Sequence, residues 1–265
     1  MSAAARRLGY GGPWFSAACA LPLQGGLGHP RQLARLLGSA VIRPWRMAAL
    51  LAVVLGAPRL RVRLSASPAG RLLGDYFGRM FIGVFPHNRL CRAVLVLPAN
   101  GADYLRGSHR HAVRNNLNRA ARAGIRCGEL DGAAEALAAM QEITLQRKSP
   151  FRQTDLAQIS QGWSAILGRP EVTVLTARDP GGNPLAVAAV VIDDEICLLR
   201  LAVAMSHEAR WALHHHLVEV LIDGGVQYLV SDADGPFGAL GAPPDIQYYQ
   251  RLLGYQVCHI SPVAA

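Results

Sequence analysis

The sequence predicts an α/β fold of the α+β kind, in which a mixed central β-sheet is flanked by helices and follows a helical, basic N-terminal extension. The first observation is the order of segments from 172 to 260: strand, hairpin, strand, helix, strand, helix, strand. A hairpin followed by a β-α-β unit requires both parallel and antiparallel neighbours in one sheet. The second is composition, because 51% of the 265 residues are hydrophobic, which suffices for a packed core.

Two domains are predicted. Residues 1–65 form the basic extension, in which 30–38 and 44–54 are expected to be short helices because each begins at a proline. The second of these is apolar nearly all round, which fits either a buried helix or an anchor for a membrane or a partner. Residues 66–265 form the main domain.

The elements of the main domain follow from hydrophobic periodicity and from capping residues. Asn100 is placed to cap one long helix from 101 to 123, and Gly124 stands where a left-handed residue ends a helix. The other predicted helices are 133–147, 155–167, 207–222 and 246–253. Strands are predicted at 60–64, 76–85, 92–97, 125–130, 172–177, 185–192, 196–205, 226–231 and 255–260.

Charge is divided very unevenly along the chain. Residues 1–126 contain 19 arginines and two acidic residues, whereas 127–265 contain eight basic and 16 acidic residues. This asymmetry predicts that the first half meets an anionic partner such as tRNA, a nucleotide or a phospholipid surface. Codon bias is the alternative, but it explains the preference for arginine over lysine and leaves the scarcity of acids unexplained.

Cysteine and histidine usage predicts a cytoplasmic protein without a metal site. The five cysteines are dispersed and show no C-x-x-C spacing, as expected for reduced thiols. His214, His215 and His216 are consecutive, and side chains about 100° apart on a helix do not converge on one ion. The apolar stretch 47–58 is shorter than the ~20 residues that span a bilayer, so only contact with a membrane surface is left open.

A basic helix is the strongest single feature. Arg106, Arg110 and Arg114 are spaced four residues apart and fall on one face, which Arg119 widens. Such a stripe fits the phosphates of a nucleotide, an aminoacyl-tRNA or a lipid-linked substrate. The alternative is a solvated face, or salt bridges to the acidic second half.

Two segments resemble known families. The segment 248–255, YYQRLLGY, resembles the aromatic-rich helix and Gly-aromatic pair that lead into the last strand of the GNAT acyltransferase superfamily. The segment 94–130 resembles the arginine-rich helix of the FemAB-like and acetyltransferase 6 group, which share the GNAT fold. The residues that carry this second resemblance are Leu97-Pro98, Asp103-Tyr104-Leu105, Arg106, Arg110, Arg114, Asn116-Leu117, Arg119-Ala120 and Gly124-Ile125.

The resemblance implies an N-acyltransferase that moves an acyl group from an activated donor, acyl-CoA or similar, to an amine. Two alternatives are a FemAB-like aminoacyltransferase that uses aminoacyl-tRNA, and a non-catalytic GNAT-fold module that binds a partner or membrane. Two departures bear on the choice. Residues 205–212 lack the glycines of the usual pyrophosphate loop, and Gln250 stands where many GNAT enzymes have a tyrosine.

The candidate catalytic residues are Asp232 and Asp234, Glu195 and Tyr249. The two aspartates follow a predicted strand at its carboxyl end, where α/β sheets bind ligands, and either could accept a proton from an amine. Glu195 stands where GNAT enzymes often place a base, and Tyr249 is one residue from the expected tyrosine. Their alternatives are a capped turn for the aspartates and an exposed turn for Glu195.

The start of the helix predicted at 207–222 supplies two further candidates for phosphate binding. Ser206 is a good N-cap and His207 follows it, so both lie at the positive end of the helix.

Overall fold

The computed structural model describes residues 52, 54–80, 87–146, 153–232, 239 and 244–264. Eight strands are hydrogen-bonded into a mixed sheet flanked by helices, as the sequence predicted. The helices predicted at 30–38 and 44–54 lie outside the described residues, except at 52 and 54, and so does Asp234. The boundary at 65/66 stays a prediction, and the chain divides into two compact units that are described separately below.

The first unit comprises Met1–Ala66, Gly70–Val96 and Val230–Ala265. Within it, the strand at 256–264 runs parallel to the strand at 59–64 and antiparallel to the strand at 92–96. The register sets Arg59 opposite His259 and Arg92 opposite Cys258. Its described elements are β1 (Arg59–Leu64), α1 (Pro68–Gly78, whose first two residues cluster with the second unit), β2 (Arg92–Val96), α7 (Pro244–Leu252) and β8 (Gln256–Ala264).

The second unit comprises Ser67–Ala69 and Leu97–Leu229. Its sheet contains three antiparallel pairs of strands that follow one another in the sequence. Its helices are α2 (Gly101–Tyr104), α3 (His111–Arg122), α4 (Ala133–Gln146), α5 (Gln153–Leu167) and α6 (His207–Asp223). Its strands are β3 (Arg126–Glu129), β4 (Val172–Arg178), β5 (Pro184–Asp193) and β6 (Ile196–Ala204), and β7 (Tyr228–Ser231) crosses the boundary between the units.

The strand predicted at 76–85 is wrong at its start, because Tyr76 and Phe77 belong to α1. Both are buried together with Leu73, at the three- and four-residue spacing of a helix face. Pro68 also suits the first helical position. The apolar spacing from 73 to 77 therefore outweighs the β propensity of the aromatic residues.

The long helix predicted from 101 to 123 is interrupted. α2 ends at Tyr104, a short 3₁₀ turn covers Ser108–Arg110, and α3 begins at His111. Gly107 lies at the break with φ of 97°, a value that a glycine adopts without strain. An added Cβ there would also lie 2.8 Å from the His109 ring. The three arginines of the predicted stripe are thus divided between separate elements.

Both predicted ends of that region are confirmed. The Asn100 side chain accepts a hydrogen bond from the Asp103 amide at 2.9 Å, as an N-cap does. At the other end Gly124 has φ of 69°, and the Ile125 amide donates to the Ala120 carbonyl at 3.1 Å. This is the Schellman arrangement that satisfies the last carbonyls of a helix.

The core of the second unit lies between α4 and the middle of its sheet. Met140 and Ile143 of α4 are fully buried in one cluster with Val187 and Ala189 of β5. In the described part of the chain, no helix is both long and apolar enough to span a membrane.

Candidate active site

Asp232 follows directly after β7, at the carboxyl end of the strand. The Tyr76 hydroxyl, from α1, donates a short hydrogen bond to Asp232 Oδ1. Arg92 Nη1, from the first residue of β2, lies 3.7 Å from the same oxygen. All three residues belong to the first unit. The predicted candidate Asp232 is therefore held by a hydroxyl and a guanidinium.

Arg92 is enclosed by protein on every side, with 0% of its side chain exposed. Its Nη2 donates to Asn88 Oδ1 at 2.8 Å and its Nε donates to the Asn88 carbonyl at 3.0 Å. Asn88 Nδ2 in turn donates to the Tyr76 carbonyl at 2.9 Å, and the guanidinium lies 5.9 Å from the Tyr76 ring centre. The four side chains form one closed network, which fixes the arginine.

Charge balance explains why the network persists. A buried guanidinium without a counter-charge is strongly destabilising, and Asp232 supplies that charge. The Asp232 side chain is 13% exposed, whereas Arg92 is not exposed at all. Solvent or a ligand can therefore reach the carboxylate but not the arginine. A carboxylate that is oriented by fixed donors and partly exposed is suited to holding an ammonium group or accepting a proton.

The helix that follows, α7, brings Gln250 to β7. Tyr249 is half-buried on α7, and it is Gln250 whose Nε2 donates to Ser231 Oγ at 3.2 Å. Gln250 is 3% exposed, and its Oε1 has no hydrogen-bond partner. Ser231, the residue before Asp232, is thus hydrogen-bonded to the Gln250 amide. Gln250 occupies the position at which the GNAT resemblance implied a tyrosine.

The remaining predicted catalytic residue, Glu195, lies in the second unit. It is half-buried and follows Asp194, which has φ of 38° in the tight turn between β5 and β6. Its carbonyl accepts hydrogen bonds from the amides of Gln227 and Tyr228, each at 2.9 Å. The backbone of Glu195 thereby fixes the start of β7, and this structural role does not involve its carboxylate.

The start of α6 does not fit the pyrophosphate of coenzyme A in the usual manner. Ser206 caps it as predicted, since its Oγ accepts from the Ala209 amide at 3.1 Å. That cap occupies a donor that a phosphate would use. Glu208 adds a negative charge in the first turn, and His207 is exposed beside it. The residues present favour a self-capped helix over a phosphate cradle.

The arginine stripe is engaged within the second unit. Arg106 pairs with Asp103 at 2.9 Å. Arg114 Nη1 donates to the carbonyls of Leu105 and Gly107, the latter at 2.8 Å, which closes the break before α3. Arg119 is exposed on α3. The arrangement favours the alternative of internal pairing for two of the four predicted phosphate-binding arginines.

Arg110 has a further partner of its own. Its guanidinium lies 4.7 Å from the centre of the Tyr104 ring, a cation–π contact. Burial lowers the pKa of Arg110, and it raises the pKa of Tyr104 to about 12. Arg110 therefore packs against protein on at least one side, and its charge is not wholly available to an external phosphate.

The consecutive histidines of α6 have different surroundings. His214 is buried on α6, and burial lowers its pKa to about 3, so that it is neutral in the folded chain at ordinary pH. His215 Nδ1 lies 3.3 Å from Glu219. Among the residues that the structure describes, no group of three or more His, Cys, Asp or Glu side chains is arranged to hold a metal ion.

The sequence matches no protein-family model and no curated protein. Solved structures similar to this chain include L-PGS from Bacillus licheniformis, with 12% identity and a TM-score of 0.43 over 63% of this chain and 57% of that one. A GCN5-related N-acetyltransferase from Kribbella flavida has 14% identity and a TM-score of 0.35, over 64% and 54% of the two chains. The aminoglycoside 6'-N-acetyltransferase AAC(6')-Ih from Acinetobacter baumannii has 13% identity and a TM-score of 0.33, over 49% and 90%.

The chain spans less than two thirds of the length of the first two of these structures. These are low-identity matches to GNAT acetyltransferases and to an L-PGS structure, and the reaction has to be argued from the residues of this chain.

Sequence reasoning missed Tyr76, Asn88 and Arg92 as members of the site. Arg92 offered a signal, because an arginine that opens an apolar strand is buried there only when it is paired. Tyr76 offered a weaker one, in its helical spacing from Leu73. Their meeting with Asp232 depends on contacts across 140 or more residues of chain, which local patterns do not reveal.

Proposed function

We propose that this protein is an N-acyltransferase, which moves an acyl group from an activated donor to an amine acceptor. The observation that carries the proposal is the Asp232 carboxylate, partly exposed at the carboxyl end of β7 and oriented by Tyr76 and Arg92. In α/β sheets this end of a strand is where ligands bind. The GNAT and FemAB-like sequence features add support for acyl transfer over other reactions.

In the proposed reaction the amine nitrogen attacks the acyl carbonyl carbon. A C–N bond forms, the bond to the leaving group breaks, and the nitrogen loses one proton. Asp232 orients the incoming amine and accepts that proton, which passes to the leaving group. Tyr76 and Arg92 are positioning residues that hold the carboxylate. Orientation supplies most of the acceleration, and proton transfer of this kind contributes about 10²- to 10⁴-fold.

The donor is an acyl-CoA or a similar activated acyl compound. A second candidate, an aminoacyl group carried on tRNA, is favoured by one observation. The start of α6 is capped by its own Ser206 and carries Glu208, so it is poorly suited to a pyrophosphate. A donor whose phosphates contact another surface would not need that helix end.

The test compares Asp232→Asn with Asp245→Asn, an exposed aspartate of the same unit. The full chain is incubated with acetyl-CoA, longer acyl-CoAs or aminoacyl-tRNA and a panel of amines, and acylated products are measured by mass spectrometry. We expect acylation by the wild type and the Asp245→Asn variant. Asp232→Asn should lower kcat/KM at least about a hundredfold per folded molecule, which is the lower range for a lost proton acceptor.

Several results would count against the proposal. If no donor is consumed and none raises Tm, the chain is a non-catalytic GNAT-fold module. If Asp232→Asn lowers Tm but leaves kcat/KM per folded molecule unchanged, the network is structural only. Turnover with aminoacyl-tRNA and not with acyl-CoA would select the second candidate.

A further inference from the structure

Strand β1 carries a row of exposed arginines on one side of the first unit. Arg59, Arg61 and Arg63 are exposed and alternate with Leu60, Val62 and Leu64, of which the last two are buried. Alternate residues of a strand share a face, at about 7 Å between neighbours, so the three guanidinium groups lie along about 13 Å. Among the strands that the structure describes, β1 stands at the end of the sheet and is paired with β8.

The first unit has few acids to balance these arginines. Its described residues include eight arginines and only three acidic residues, Asp75, Asp232 and Asp245. Of these, Asp232 already faces the buried Arg92. The β8 residues set opposite the three arginines carry no acid; they are His259, Ser261 and Val263. The described part of the unit therefore has a net positive charge, and Arg59 and Arg61 lie opposite residues without a carboxylate.

Exposed aliphatic side chains border the row at both ends. Val263, which is paired with Arg63, is 46% exposed. Leu55 is 81% exposed, and its neighbour Val54 accepts a hydrogen bond at 2.6 Å from Nε2 of His259, the partner of Arg59. Arginines flanked by aliphatic groups match the interface of an anionic bilayer, where cations meet phosphates and apolar groups enter the boundary layer.

We propose that this face of β1, the three arginines with Leu55 and Val263, docks the protein on an anionic phospholipid surface. Neither β1 nor the paired part of β8 has a Phe, Tyr or Trp on which nucleic-acid bases could stack, and both ring nitrogens of His259 contact the protein backbone, which favours lipid over single-stranded RNA. Charges also protect edge strands from pairing, but that needs one or two charges of either sign, not an all-positive row. The docking surface does not depend on the proposed acyl transfer.

The test compares two triple variants of the full chain that lose the same charge. One is Arg59→Gln/Arg61→Gln/Arg63→Gln, and the control is Arg122→Gln/Arg126→Gln/Arg169→Gln, whose arginines are exposed in the second unit. Binding is measured by flotation with vesicles of phosphatidylcholine alone and of phosphatidylcholine with phosphatidylglycerol, and with single-stranded poly(U). Circular dichroism checks that each variant folds.

We expect the wild type to bind only vesicles that contain phosphatidylglycerol, and to be released by high salt. The β1 variant should bind about a hundredfold more weakly, at about fivefold per arginine, and the control should stay close to the wild type. Absence of wild-type binding, or equal losses in both variants, would overturn the proposal. Loss of poly(U) binding with vesicle binding intact would assign the strand to RNA. Should the β1 variant fail to fold, Arg61→Gln alone should still show about a fivefold loss.

Discussion

The arginines of β1 and those that lead into α3 look alike in the sequence, since each set repeats at the spacing of one face. Their surroundings differ. The described residues of the second unit contain ten arginines and 14 acidic residues, whereas those of the first unit contain eight arginines and three acidic residues. Arg106 and Arg114 accordingly bind an aspartate and two carbonyls of their own unit. Periodicity locates a basic face, but the balance of nearby acceptors decides whether that face is available to a partner.

Arg92 differs from the arginines of β1, although it belongs to the same unit, because it is buried and paired with Asp232. Asp232→Asn should lower the free energy of unfolding by about 3–5 kcal/mol, since it removes the carboxylate that lies 3.7 Å from the buried Arg92 guanidinium. Removing both charges in Arg92→Leu/Asp232→Asn should restore much of the loss. Urea unfolding of the two single variants and the double variant, as a double-mutant cycle, measures this coupling.

The control for this cycle is Asp245→Asn, which removes an exposed carboxylate of the same unit and should change stability by no more than about 0.5 kcal/mol. Additive losses in the double variant would contradict a direct coupling between Arg92 and Asp232.

The sequence predicted most of the second unit and little of the candidate site. Strand β5 was found because it is a nearly continuous apolar run, and helix α6 because Ser206 caps its start and Gly224 stands at its end. Asp232 was found because it follows a strand. Tyr76 was missed because an aromatic residue suits both a strand and a helix, and its helical state is fixed by burial with Leu73. The break at Gly107 was missed because a single glycine within a helical pattern is often tolerated.

Helix α6 allows a second test of how the arginines of the second unit interact with their surroundings. Its residue His214 lies close enough to Arg110 for their charges to interact. Burial, His215 and Arg110 lower the pKa of His214 to about 3, below its ordinary value of 6.5. Its neutral form is favoured in the fold, so its contribution to stability is complete above about pH 6.5 and is lost as pH falls towards 3. Stability should fall by about 1.4 kcal/mol per pH unit from this residue.

Urea unfolding from pH 7 to pH 4.5 measures this slope. His214→Leu should remove the contribution of His214 to the slope of unfolding free energy against pH. His207→Leu, at an exposed histidine of the same helix, should leave the slope unchanged. Arg110→Gln should reduce the slope only at the acidic end of the range, because it removes a cation that opposes protonation of folded His214, whereas the slope nearer neutral pH is set by the unfolded chain. An unchanged slope in His214→Leu would show that other groups cause the acid sensitivity.

Arg114 provides the smallest effect, and the most direct test that the second unit's arginines are structural. Arg114→Met keeps the aliphatic stem but leaves the carbonyls of Leu105 and Gly107 without a charged donor, which should cost about 1–3 kcal/mol of unfolding free energy. Arg119→Met, at an exposed position of α3, should stay within about 0.5 kcal/mol. Both variants lose one charge, so a purely electrostatic role would give equal and salt-dependent changes in urea unfolding. A larger loss for Arg114, unchanged at high salt, would instead tie this arginine to the turn at Gly107.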